Sequence, residues 1–351
     1  MSGWKGASWR LTGLLALIVA APGKALPQDR PPRSEIPIRE VRLSDGVRRY
    51  GIPMTIGGTE VLAGIDTGAA GLRVMPDAIP AGAARGSAAA EFYNFGSGTR
   101  LDGVAGRADI RIGALSGSSS LHLVNKAGCI ASRPGCPGTL GLGYGFLGDG
   151  LPREGFRVLL GANMGRTTID NPLIAVGARR WIIELPRPGD TAPGRLVINP
   201  SDEEIKDFVM LRLVGGFREE EGGGLHDSVQ GCLTSETSRS RACGPVALDT
   251  GAYSVRVLNS SLGQTPWPSG APMTLEFTDE TRRAAVTVRM VVGREMQSLF
   301  YGTAPRRETI IEAGVAPYFA YTVLYDPVRR MMGFKVRAPF DGGPAGNPPP
   351  P

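Results

Sequence analysis

The chain is poor in histidine, in aromatic residues and in long apolar runs. His122 and His226 are its only histidines in 351 residues. That scarcity removes the usual material of imidazole-rich metal centres. Without a Gly-x-Ser-x-Gly elbow it also argues against a Ser/His/Asp hydrolase. Dense Lys/Arg tracts with interleaved aromatics are missing, which argues against a nucleic-acid partner. Gly141-Leu142-Gly143-Tyr144-Gly145 lacks the helix and the Lys-Ser/Thr of a phosphate loop. Long helical patterns are few, whereas Gly (50) and Pro (29) are plentiful. Short apolar stretches cut by turn residues predict an all-β fold.

One longer apolar run does exist, Leu11 to Ala21, and it is short for a bilayer span. Lys5 and Arg10 precede it, and Gly23-Lys24-Ala25 closes it with small residues at two recognition positions. Residues 1–25 are therefore predicted to be a secretory signal, the alternative being an uncleaved membrane anchor, with 26–35 a proline-rich linker. Losing Lys5, Arg10 and Lys24 would halve the formal charge of +6. The mature protein is expected to be secreted or periplasmic, with no membrane association after cleavage. Its four cysteines fall into two close pairs, Cys129/Cys136 and Cys232/Cys243. In an exported chain these read most simply as two local disulfides, although four cysteines allow three connectivities. Neither pair is Cys-x-x-Cys and no histidine flanks them, so no metal site is expected.

Strand patterns are clear at Gly51 to Gly58, Ala108 to Gly113, Trp181 to Leu185 and Arg195 to Ile198. Ser201 can cap a short helix over Asp202 to Phe208. A second strand-rich half opens near Phe208. Glu219-Glu220-Glu221 with Gly222 to Gly224 reads as a solvated loop. Residues 339–351 read as a flexible Gly/Pro tail.

The strongest signal is a repeat. Asp66-Thr67-Gly68-Ala69-Ala70-Gly71-Leu72-Arg73-Val74-Met75 shares six of ten positions with Asp249-Thr250-Gly251-Ala252-Tyr253-Ser254-Val255-Arg256-Val257-Leu258. Each copy follows an apolar approach, and the aspartates lie 183 residues apart, a domain-sized spacing. The strand delivers the aspartate at its end, glycine permits close backbone approach, and threonine can bond laterally. Two such loops meeting would place two carboxylates together, sharing one proton and able to activate water.

In this setting the chain resembles the pepsin-like aspartic peptidases over roughly residues 45–338. Arg49 to Gly57 resembles the family's first strand. Asn94-Phe95-Gly96-Ser97-Gly98-Thr99 through Gly113 resembles its flap hairpin. Thr139-Leu140-Gly141-Leu142-Gly143-Tyr144 resembles the segment behind the first catalytic loop. Cys232/Cys243 resembles a local family disulfide, and Tyr321 to Phe334 its last strands. The resemblance implies an all-β, bilobal fold with two pseudo-twofold related, β-barrel-like lobes, here 36–205 and 206–338. It implies an endopeptidase with Asp66 and Asp249 catalytic, supported by Thr67, Gly68, Thr250 and Gly251. Phe95, Gly96 and Ser97 would cover the substrate, an extended polypeptide. No cofactor is implied, and a monomer is expected.

Several residues depart from the family pattern. Ala69 and Ala252 stand where it usually has Ser or Thr, which removes two hydroxyl donors and predicts raised carboxyl pKa values. Phe95 replaces the flap tyrosine, and Arg73 its tryptophan partner. Tyr93 does not fall at the flap tip. Arg73 and Arg256, at matching repeat positions, are expected to be solvent-facing strand residues; the other reading has Arg73 facing the cleft, where it would shift the carboxyl pair or select an acidic substrate group. Val315 replaces an aspartate after Gly314. About ten residues between the signal and Glu35 leave no room for a conventional prosegment. The altered flap also suggests a second reading, a peptide-binding protein that does not cut.

Overall fold

Alternation decides how the chain enters its first sheet. In the strand Ser34–Arg42, Ile36 and Ile38 are buried while Glu35 and Pro37 are exposed, the period of two that one covered face requires. The computed structural model describes residues 1–3, 31–165, 167–215, 227–258, 267–302, 309–341 and 343–347. Those from 31 onward form one compact unit. The protein is all-β, at 50% strand and 7% helix. Among the described residues there are two large sheets, of thirteen and eight strands.

Each Asp-Thr-Gly loop sits in the same local topology, one per sheet. Thr59–Asp66 leads into the first loop and Ala70–Val74 leaves it. Val158–Ala162 lies between them, parallel to the first and antiparallel to the second. In the other sheet Arg241–Ala247 leads in and Val255–Leu258 leaves. Ile310–Glu312 lies parallel to the first and antiparallel to the second. A further parallel strand flanks each exit strand, Leu115–Cys129 in one case and Leu299–Gly302 in the other. The ten-residue repeat is thus the visible part of a larger structural repeat.

This topology corrects one expectation. The strand backing the first loop is Val158–Ala162, not Thr139 to Tyr144. Residues Pro137–Gly143 form a short 3₁₀ turn with Leu142 exposed. Both segments read as apolar residues around glycine. Gly161 is the one the backbone demands, because a Cβ there would lie 2.7 Å from the Ala69 carbonyl oxygen.

The predicted boundaries need correction too. Ser34 and Glu35, placed in the linker, already pair with Ile198 and Val197. The division near residue 205 is not a break in hydrogen bonding, since Trp181–Glu184 pairs with Tyr321–Asp326 across it. Nor are residues 339–351 all a free tail. Ala345–Gly346 pairs with Ala284–Val291, and the Asn347 side chain accepts from Thr287 N–H at 2.7 Å. That edge strand gains a partner for backbone groups that would otherwise face water.

The helix after Ser201 covers only Asp202–Ile205, closed by a Ser201–Glu204 capping box. Both cysteine pairs are disulfides, Cys129–Cys136 and Cys232–Cys243. The segment beyond Gly3 that was predicted to be a secretory signal, and the predicted loop at 219–224, lie outside the described residues. No described helix is long and apolar enough to cross a membrane.

Candidate active site

Two buried strands carry the aspartates to one place. Ile65 and Leu248, immediately before them, are 0% and 2% exposed. Burial of each such side chain contributes about 1.5–3 kcal/mol, which works against the cost of carrying a carboxyl group inward at the next residue.

The threonines then lock the loops together. Thr67 N–H donates to Thr250 Oγ1, and Thr250 N–H donates to Thr67 Oγ1, both at 3.0 Å. Each hydroxyl passes its own proton to a carbonyl of the opposite strand. Thr67 Oγ1 donates to Leu248 O at 3.0 Å and Thr250 Oγ1 to Ile65 O at 2.8 Å. Since the Thr67 proton is spent, the Tyr318 hydroxyl is the donor in its 2.9 Å bond to Thr67 Oγ1. Tyr318 is in turn hydrogen-bonded to the Tyr325 hydroxyl.

The glycines admit the carboxyl groups. Gly68 N–H donates to Asp66 Oδ1 at 2.8 Å and Gly251 N–H to Asp249 Oδ1 at 2.7 Å. A Cβ on Gly68 would lie 2.5 Å from Asp249 Cγ, and one on Gly251 2.9 Å from Asp66 Cγ. The two side chains are hydrogen-bonded to each other. Burial, and next the neighbouring Asp249, hold Asp66 well above the usual carboxylate range; Gly68 N–H and Arg73 act in the opposite direction. Such a pair retains a proton where isolated carboxylates lose theirs. It can therefore offer a base and an acid side by side.

Ala69 and Ala252 offer no hydroxyl. Their carbonyls accept, from Asn163 N–H and Val315 N–H respectively, both at 3.0 Å. The position of Val315 thus supports the second loop through its backbone.

A cavity of about 240 Å³ opens beside the carboxyl groups, with the Phe95-Gly96-Ser97 hairpin tip on its wall. The tip is braced from several sides. Ile130 N–H donates to the Gly98 carbonyl at 2.9 Å. The Gly96 carbonyl accepts from Arg133, and from Arg256 Nη1 at 3.4 Å. Ile130 and Arg133 lie between the two cysteines of Cys129–Cys136, so the disulfide loop props the tip. The Ser97 hydroxyl is used inside the turn, at 3.2 Å from Thr99 Oγ1. Phe95 packs edge-on against Tyr93, with centroids 4.9 Å apart.

The arginines are not the solvent-facing residues expected. Arg73 is 1% exposed, and its guanidinium lies 3.5 Å from the Tyr93 ring centroid. Nη1 donates to the Ala70 carbonyl at 2.7 Å. The attraction of a cation to an aromatic face replaces the water it gives up. Arg256 is half-buried, forked onto Glu312 by two 2.7 Å bonds, and lines the cavity.

Sequence reasoning missed other cavity residues. Tyr93 and Tyr144 line it, as do Asp149 and Glu312. Asp149 pairs with Arg49, which is 2% exposed and donates to the Gly251 carbonyl at 2.7 Å. Asp149 has a φ of 54° and Leu147, also on the wall, 58°; such backbone outliers gather at working sites. No sequence pattern marked them, since both acids arrive from segments remote from the repeat. His122 is fully buried, with neither ring nitrogen bonded among the described residues. Burial pushes its pKa down to about 4, so it is neutral at pH 7.

No protein-family model matches this chain, and no curated protein matches its sequence.

Proposed function

We propose that the protein is an aspartic endopeptidase with a bilobal, pepsin-like fold, exported to the periplasm or the exterior. The observation that carries this reading is the reciprocal threonine lock, which sets Asp66 and Asp249 against each other in matching strand topologies. The ionised member of the pair takes a proton from a water whose oxygen attacks the scissile carbonyl carbon. The protonated member donates to the carbonyl oxygen, giving a tetrahedral intermediate; two carboxyl groups sharing one proton act in this way throughout the aspartic proteases. Proton return to the leaving nitrogen breaks the bond. An extended polypeptide fits the cleft by strand-like pairing with the Phe95–Ser97 hairpin.

A second reading is favoured by the hairpin itself. Its tip lacks a tyrosine and rests on Arg133 and Arg256, an arrangement suited to holding peptide without cutting it. Digestion of an unfolded protein from acidic to neutral pH, with pepstatin and Asp66→Asn controls, separates the two. Pepstatin-sensitive cutting that is lost in Asp66→Asn supports the enzyme. Peptide binding without turnover supports the binder.

A further inference from the structure

A second cavity, of about 440 Å³, is lined by residues far in sequence from the aspartate loops. Strand register builds it. Arg195 stands opposite Glu184, and Thr322 opposite Lys335. Thr322 Oγ1 donates to Glu184 at 3.2 Å, so the four form one polar row across four strands. The adjoining row supplies an apolar floor in Ile182 and Val197, extended by Phe208. Arg187 enters from the loop beside it and Arg337 from the end of the last long strand.

The acids lining this cavity, Glu184 and Glu204, are paired, and two of its cations, Arg195 and Lys335, are paired as well. Glu204 is bound by Arg33 at 2.8 Å and by the Ser201 N–H at 2.8 Å. Glu184 takes Arg195 at 3.0 Å and stands 3.9 Å from Arg337. Asp207 takes Lys335 at 3.2 Å, and Asp190 takes the backbone N–H of Arg187 at 2.8 Å. Arg187 Nε donates to the Phe319 carbonyl at 3.0 Å, with its guanidinium 4.8 Å from the Phe340 ring centroid. No acceptor among the described residues reaches its Nη1 or Nη2. Arg337 Nη1 donates to the Leu185 and Tyr318 carbonyls at 2.8 Å each, leaving Nε without an acceptor among them. Burial lowers the pKa of both arginines, and for Arg337 the next cause is the charge of Arg187. Like charges held together out of water are relieved by an anion.

We infer that this cavity binds a phosphate- or sulfate-like oxyanion, gripped by Arg187 and Arg337 with Arg195 and Lys335 at its mouth. Guanidinium forks match the oxygens of such an anion. Both gripping arginines also hold carbonyls of the Ala316–Ala320 helix. The Tyr318 hydroxyl of that helix reaches Thr67, so a bound anion braces the segment beneath the first aspartate loop.

Calorimetric titration of the full chain with millimolar inorganic phosphate tests this, with melting curves alongside. Saturable binding is expected, with Tm about 2 °C higher once phosphate exceeds its Kd about tenfold. Arg187→Gln/Arg195→Gln should weaken binding at least about tenfold, one charge-assisted bond's worth. Arg195→Gln alone, on an exposed side chain, should weaken it measurably should the pair fail to fold. An equal response to chloride at matched ionic strength, or a phosphate response unchanged in the variants, would overturn the inference. Vesicles of phosphatidylcholine doped with phosphatidylglycerol identify the source. Vesicle capture lost in the variants assigns the anion to a lipid headgroup, and phosphate saturation without capture assigns it to a free anion.

Discussion

Ala69 and Ala252 bear on the acid–base character of the site, beside the burial and the neighbouring carboxyl group that raise Asp66. Neither offers a hydroxyl to the carboxyl oxygens, which accept from the Gly68 and Gly251 N–H groups. A hydroxyl donor stabilises the charged form, so Ala69→Ser/Ala252→Thr should move the acid limb of the pH–rate profile down by roughly one pH unit. An unmoved limb in the double variant contradicts this. Gly68 is the opposite kind of residue, one for which no addition is tolerated. With a Cβ 2.5 Å from Asp249 Cγ, Gly68→Ala should displace that carboxyl group. Misplacement of that order costs about 10²-fold in turnover, and kcat measured against wild type checks it. Arg73 is where residue-level reading failed. Arginine in a strand is usually solvated, and only the β-hairpin folding over it brings Tyr93 to within 3.5 Å of the guanidinium. That contact is non-local and leaves no trace in the strand's own pattern.

Among the elements, the hairpin and the loop beneath it act as one. The tip is held through Ile130 and Arg133, both inside the ring closed by Cys129–Cys136. Cys129→Ser/Cys136→Ser should therefore do more than lower stability by the roughly 2–3 kcal/mol of a short crosslinked loop. It should raise KM while kcat changes less, because substrate covering is impaired and the carboxyl pair is not. Equal KM in the double variant and the wild type would refute that division of labour. The strands of both loops were legible because Asp-Thr-Gly recurs with its apolar approach. The backing strand was not. Thr139 to Tyr144 mimics the pattern of Val158–Ala162, and only the close passage of Ala69 beside Gly161 separates the two. Asp149 and Glu312 escaped notice for a related reason. Each is an isolated acid in its segment, and its charge becomes meaningful only beside Arg49 or Arg256.

At the scale of the whole molecule, buried acids tie stability to pH. Burial raises Asp227 from 3.8 to about 7, against the Met164 N–H that opposes the rise. Burial likewise raises Asp149 and Asp66. A carboxyl group whose folded pKa exceeds its unfolded one costs nothing below the unfolded value. Its penalty then grows as pH rises, for Asp227 between about 4 and about 7. Urea unfolding should accordingly show higher stability near the lower end of that window, and Asp227→Asn should flatten the dependence. A stability that rises from the lower end to the upper would contradict the assignment. The all-β class was readable from composition and turn residues, whereas sheet continuity was not. Trp181–Glu184 joins Tyr321–Asp326 across a boundary that the spacing of the repeat suggested was a division.

The peptidase reading requires Asp66 and Asp249 to work as one proton-sharing pair on peptide bonds. The most direct measurement is hydrolysis of an unfolded protein by wild type, Asp66→Asn and Asp249→Asn across acidic to neutral pH. Cutting by the wild type that is abolished in both variants, with their melting curves still cooperative, is the expected result. Cutting that survives in either variant would show that the two carboxyl groups do not act as a pair.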